Sequence, residues 1–185
     1  MLPELVQKAS LFSLLHRIDM ELAREHRKGG CPYCEGPLQQ ANYLRKPRGG
    51  PDDIPEDYLI RLSLCCGREG CRRRSLPPST RFMGRRVYWS CVILVAVTLR
   101  QDRADGVSAN KLKKLFGVTR QTIKRWVAYF REVFPCSAAW QRLRGRISCS
   151  VRDSELPGAL LRFFLLNSES SEKGLIACLH FLATG

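Results

Sequence analysis

Five of the nine cysteines in this 185-residue chain fall in two clusters. Cys31-Pro32-Tyr33-Cys34 separates two thiols by two residues and is followed by Gly36, a spacing that turns both sulfurs toward one point. The second cluster, Cys65-Cys66-Gly67-Arg68-Glu69-Gly70-Cys71, comes about 30 residues later. Between and beyond them Pro37, Pro47, Pro51, Pro55, Pro77 and Pro78 exclude long helices, so residues 31–82 read as loops and short strands. Leu38 to Arg45 and Tyr58 to Leu64 are the strand candidates, the second alternating Leu62 and Leu64 against Arg61 and Ser63. An odd number of irregularly spaced cysteines argues against a disulfide framework, and two knuckles at strand ends can close a tetrahedral four-sulfur site. Cys31, Cys34, Cys66 and Cys71 are the expected ligands of one structural Zn2+, with Cys65 the alternative to Cys66. Cys91, Cys136, Cys149 and Cys178 stand alone and read as small core residues.

The rest of the chain is helical in pattern. Leu11, Leu14, Leu15, Ile18 and Leu22 recur at helical spacing within Leu2 to Lys28, which predicts one amphipathic helix that covers a core or pairs with a second copy. Arg85 to Arg100 predicts a helix apolar nearly all round. Its apolar run, Val87 to Leu99, falls short of the roughly 20 residues that span a bilayer. Ser108 caps a helix over Ala109 to Phe116, and Thr119 caps another that runs to Phe130 or Val133 before Pro135. Two more helices are expected near Pro157 to Leu166 and Gly174 to Leu182, either completing the core or forming a contact. No secretory signal is visible at the N-terminus, so a cytoplasmic setting is expected.

A net charge of +14 calls for an acidic partner. The excess is local: residues 61–86 carry 8 basic side chains against Glu69, and residues 107–146 carry 10 against Glu132. Two basic blocks, each inside a folding unit, are the footprint of a nucleic-acid binder. In the second block Ile123, Trp126, Val127 and Phe130 make one apolar face of a helix. Arg120, Gln121, Thr122, Lys124 and Arg125 make its polar face, a mixture able to bond base edges and phosphates. In the first block Arg72, Arg73 and Arg74, with Arg45, Lys46 and Arg48 on the facing loop, are candidate phosphate contacts.

Residues 109–126 resemble the helix-turn-helix of bacterial repressors and transposases, matching at Gly117, Val118 and Ile123. Lys113 departs from that pattern, which has a small residue facing the turn. The resemblance implies that Arg120, Gln121 and Lys124 meet base edges in the major groove, that Thr119, Thr122 and Arg125 hold phosphates, and that Lys111, Lys113 and Lys114 flank the backbone. More widely, Cys-Pro-x-Cys, Tyr43-Leu44-Arg45-Lys46-Pro47-Arg48-Gly49-Gly50-Pro51, Cys-Cys-x4-Cys-Arg-Arg-Arg, Pro77-Pro78-Ser79 and Gly84-Arg85-Arg86-Val87-Tyr88 are similar to a group of small bacterial zinc-ribbon and helix-turn-helix proteins associated with mobile elements. That similarity covers most of the chain and implies DNA binding in transposition or its control.

The expected architecture is therefore mainly α with a small β zinc ribbon. It divides into an N-terminal helix (1–28), a four-cysteine ribbon (29–83), a helix-turn-helix unit (84–135) and a C-terminal helical segment (136–185). The expected function is double-stranded DNA binding, nucleoid-associated, as a transposition accessory or transcriptional regulator. A transposase or other protein partner and a homodimer on paired half-sites are compatible with it, and no membrane is involved. Catalysis is not expected, because nuclease chemistry needs gathered carboxylates and the densest set, Asp52, Asp53, Glu56 and Asp57, lies in a proline-rich loop. The competing reading is an RNA-binding or scaffold protein that uses the ribbon and the C-terminal helices.

Overall fold

A computed structural model describes residues 2–101, 107–147 and 151–185. The chain is mainly helical, with a small antiparallel sheet. The N-terminal segment is two helices, α1 (Leu2–Leu5) and α2 (Ala9–Lys28), rather than the single helix expected. The break at Val6-Gln7-Lys8 lets Val6 enter the core, and the Gln7 amide donates to the Gly49 and Leu115 carbonyls, each at 3.3 Å. α2 buries Leu11, Phe12 and Leu15, each contributing about 1.5–3 kcal/mol by apolar burial. It also buries Asp19, on the same stripe.

The two expected strands are interrupted. Leu38 to Arg45 splits into β1 (Leu38–Gln40) and β2 (Tyr43–Leu44), and the second candidate becomes α3 (Glu56–Leu59), β3 (Ile60–Arg61) and β4 (Leu64–Cys66). With β5 (Arg74–Ser75), β1 and β4 form a three-stranded antiparallel sheet in the order β1-β4-β5, while β2 and β3 pair separately. Arg61 and Ser63 are buried like Leu62 and Leu64, so the alternation seen in the sequence does not divide solvent from core. Both faces of this segment are covered.

The expected helix from Arg85 starts only at Ser90, because Gly84-Arg85 forms a turn, with Gly84 in the left-handed region (φ 59°), and Phe82 and Trp89 pair across it as an antiparallel bridge. The Arg48 N–H donates to the Val87 carbonyl, and the Trp89 N–H to the Arg48 carbonyl. α4 (Ser90–Gln101) is buried continuously from Ser90 to Thr98 and packs against α5 (Ala109–Phe116), α6 (Arg120–Ala128), α8 (Gly158–Leu166) and α9 (Ser171–Ala183). A wide turn, Tyr129–Val133, extends α6, and α7 (Ala138–Leu143) follows, a helix the sequence pattern did not suggest. One hydrophobic cluster runs from Val6 to Phe181 through all of these helices, so the N-terminal, central and C-terminal helices share a core. Trp89 sits between Phe12 and Phe82 at ring separations of 4.7 and 5.4 Å. Cys91 and Cys178 are buried in this core as expected, Cys136 is exposed instead, and Cys149 lies outside the described residues.

Asp19 ties the helices to the cysteine-rich region. Its Oδ1 accepts from the Thr80 N–H (2.6 Å) and hydroxyl (2.8 Å), and its Oδ2 from the Ser79 hydroxyl (2.5 Å) and Arg81 Nε (2.9 Å). Arg81 in turn donates to the Tyr58 and Ile60 carbonyls. Removing one partner of such a buried pair strands the other charge. Asp19→Ala should lower the unfolding free energy by about 3–5 kcal/mol. Glu169→Ala, which removes an exposed pair with Lys173, should cost less than about 1 kcal/mol. Urea unfolding midpoints check this, and similar small losses for both variants would remove Asp19 from the role assigned to it.

Candidate metal centre and nucleic-acid interface

The first knuckle follows directly from the end of α2. The Cys31 N–H donates to the Gly36 carbonyl (2.9 Å), and the Cys31 carbonyl accepts from the Cys34 and Glu35 N–H groups, which closes the loop on itself. A side chain at Gly36 would crowd the cluster. A Cβ at this position would lie 3.2 Å from Cys66 Sγ and 3.3 Å from Cys34 Sγ. The second knuckle leaves β4 at Cys66, whose N–H donates to the Arg73 carbonyl (2.9 Å) and whose Sγ accepts from the Arg68 N–H (3.4 Å).

These loops bring the four sulfurs of Cys31, Cys34, Cys66 and Cys71 within 4.8 Å of one another. Cys31 and Cys71 are 3.8 Å apart, and Cys34 and Cys66 3.5 Å. A tetrahedral site with metal–sulfur bonds of ~2.3 Å has S···S edges of about 3.8 Å, so the set is compatible with a metal. Strand pleating decides between the adjacent cysteines: Leu64 and Cys66 face the small core built with Leu38, while the Cys65 sulfur turns out to the Arg72 carbonyl at 3.3 Å.

The thiols differ in how readily they lose their protons. The Gly36 backbone N–H lowers the Cys34 thiol to about 7, whereas burial pushes Cys66 up to about 12. Two thiolates 3.5 Å apart repel by roughly 5 kcal/mol at an effective dielectric constant of ~20, so four cannot form together without a positive ion among them.

The helical pair α5–α6 is built as the sequence indicates. Ser108 accepts from the Lys111 N–H and Thr119 from the Thr122 N–H, each as an N-cap. Gly117 ends α5 in the left-handed region (φ 62°), and its N–H caps the Lys113 carbonyl. Leu112, Phe116, Val118, Ile123, Trp126 and Phe130 are buried behind the pair. Lys113, the residue out of pattern, points to solvent and so leaves the packing undisturbed. Lys111, Lys114, Thr119, Arg120, Gln121, Lys124 and Arg125 are exposed, and half-buried Thr122 shares a hydrogen bond with the Thr119 hydroxyl.

The polar side of α6 is divided in two. Arg120, Lys124 and Arg131 line an open cleft of about 1040 Å3, with Arg100, Glu155 and Arg162 also on its walls, whereas exposed Gln121 and Arg125 lie outside it. Arg120 is held by two bonds from its guanidinium to Asn110 Oδ1 (3.1 and 2.8 Å).

In the cysteine region Arg72, Arg73, Arg74, Lys46 and Arg48 are exposed, but Arg45 is not available in the same way. Its guanidinium donates to the Gly84 and Arg86 carbonyls at 2.9 and 2.7 Å and lies over the Phe82 ring, which makes it a brace between loops. Two tyrosines were missed. Arg73 covers the exposed Tyr33 ring at 4.5 Å, and Arg74 covers Tyr43 at 5.4 Å. No local spacing could have signalled these pairs, because knuckle closure and strand pairing bring them together. Arg100 and Arg131 were missed for the same reason, their shared cleft being formed by helix packing.

No family model, curated protein or solved structure matches this chain. Among the described residues, no helix is long and apolar enough to cross a membrane.

Metal uptake must displace the Cys66 proton, so affinity should fall as the solution is acidified. With Co2+ as an optical probe, the absorption of a tetrahedral thiolate site should appear on titration, vanish in Cys66→Ser and persist in Cys65→Ser. Equal loss in both variants would contradict the ligand assignment.

Proposed function

We propose that this chain binds double-stranded DNA through α5 and α6 acting as a helix-turn-helix, beside a ribbon that holds one structural Zn2+. The observation that carries the reading is the pairing of a rigid helix with an open cationic side. Ile123 and Trp126 anchor α6 on α4, while Arg120, Gln121, Lys124 and Arg125 stay accessible. Groove reading requires that combination, because side chains must be aimed before contact and must not be covered by the protein's own helices.

The division of α6 supports a sharing of roles. Gln121 and Arg125, outside the cleft, meet base edges. Arg120 and Lys124, with Arg131 behind them, take phosphates along the cleft wall. This exchanges the tasks that the family resemblance gave to Arg120, Lys124 and Arg125. Zinc suits four thiolates with no open coordination position, so the ion folds the ribbon and does no chemistry. Its ligand-bearing loops then present Arg72, Arg73 and Arg74 to the same polyanion. A role as transposition accessory or transcriptional regulator of a bacterial mobile element, in the nucleoid and with a second copy or a transposase as partner, fits a non-catalytic DNA binder of this size.

A second reading has its own support. Tyr33 under Arg73 and Tyr43 under Arg74 are exposed flat surfaces of the kind on which unpaired bases stack, which favours single-stranded RNA. Affinity measured across a salt series separates the two. Duplex DNA should bind with a steep negative salt slope, and Arg120→Ala or Lys124→Ala should each flatten that slope by about one unit. Gln121→Ala should cost about 1–3 kcal/mol on the preferred sequence and little elsewhere. Tighter binding to single-stranded RNA, lost in Tyr33→Ala, would replace the DNA reading.

A further inference from the structure

A second, smaller cavity of about 220 Å3 lies between the start of α4, the Pro77–Gly84 segment and the end of α9. Arg61 lines it, 7% exposed, and the carboxylate whose charge it feels, Asp19, is bonded to other groups. Nη1 donates to the Leu62 carbonyl (3.1 Å) and Nη2 to the Pro77 carbonyl (2.6 Å), both neutral acceptors. Arg81, buried beside it, pairs with Asp19, and that carboxylate already accepts four hydrogen bonds. Two buried guanidinium groups thus share one carboxylate. A buried charge without a counter-ion is costly, and an anion in reach of Arg61 relieves it.

The opposite wall supplies a second donor. Ser90 lines the same cavity at 3% exposure, and its hydroxyl has no hydrogen-bond partner. Its N–H donates to the Arg81 carbonyl (2.9 Å), which fixes it against the arginine-bearing segment. Ser90 is also the first residue of the 12-residue α4, so the positive end of that helix faces the same region. Phe82, Leu179 and Leu182 add apolar wall to the cavity.

From this convergence we propose that the cavity binds one small oxyanion of the phosphate class, held by the Arg61 guanidinium and the Ser90 hydroxyl at the start of α4. The volume lies below the ~300–1000 Å3 of sites for drug-sized ligands, so the ligand is an ion or a single esterified phosphate group rather than a nucleotide. The planar fork of Arg61 matches two oxygens of a tetrahedral anion, and the hydroxyl meets a third. Bound there, the anion would tie the cysteine-rich region to α4 and α9.

Thermal unfolding of the full chain in rising inorganic phosphate, against chloride at matched ionic strength, tests the site. A saturable rise in Tm specific to phosphate is expected. Ser90→Ala removes a hydroxyl that bonds nothing else, so it should fold with unchanged stability in chloride while the phosphate midpoint weakens about tenfold. Arg120→Ala, in the separate cleft, should keep the wild-type midpoint whether or not duplex binding survives. A parallel titration with methyl phosphate distinguishes the source: an equal response assigns the site to esterified phosphate, and a response to inorganic phosphate alone to the free ion. The absence of a phosphate-specific rise, or identical midpoints in the wild type and Ser90→Ala, would overturn the proposal.

Discussion

The carboxylate of Asp19 is the point on which the two parts of this molecule are aligned. It projects from the buried stripe of α2 and collects four donors from Ser79, Thr80 and Arg81. Arg81 carries the connection to the carbonyls of Tyr58 and Ile60, just before the strand that bears Cys66, and its own carbonyl receives the Ser90 N–H at the start of α4. One acid therefore fixes the approach of the second knuckle and the origin of the central helix. An apolar residue at this position would pack but would not set direction, because hydrophobic contact is indifferent to orientation and hydrogen bonds are not.

Around that anchor the chain keeps its cationic groups in two environments. Arg81 and Arg61 are taken out of water and act on the fold through carbonyls and Asp19. Arg120, Lys124, Arg72 and Arg73 remain exposed, where repulsion among them is screened and a polyanion can reach them. Arg45 shows how local context sorts a residue into the first group: it lies in a basic run with Lys46 and Arg48, yet both terminal nitrogens are used on the carbonyls of Gly84 and Arg86.

Legibility followed the range of the interactions. Features closed by a few neighbouring residues could be read directly. Ser108 and Thr119 cap where their spacing indicates, Gly117 takes the left-handed turn, and Cys31-x2-Cys34 folds back on its own carbonyls. The start of α4 was misplaced by five residues, from Arg85 to Ser90, because extended pairing with Arg48 competes with helix there. The alternation of Leu62 and Leu64 against Arg61 and Ser63 said nothing of their burial, since all four are covered.

Spacing alone determined the cysteine set, the capped helical pair and the apolar face of α6, because each depends on contacts within a turn or two of the backbone. Only the tertiary structure decided that the four thiols converge within 4.8 Å, that Arg120 and Lys124 line a cleft while Gln121 and Arg125 lie outside it, and that Arg61 and Ser90 line one cavity. Those outcomes depend on which face of an element another element covers. That coverage is set by the packing of α4, α8 and α9 and by the reach of Asp19 across 60 residues of chain to Ser79.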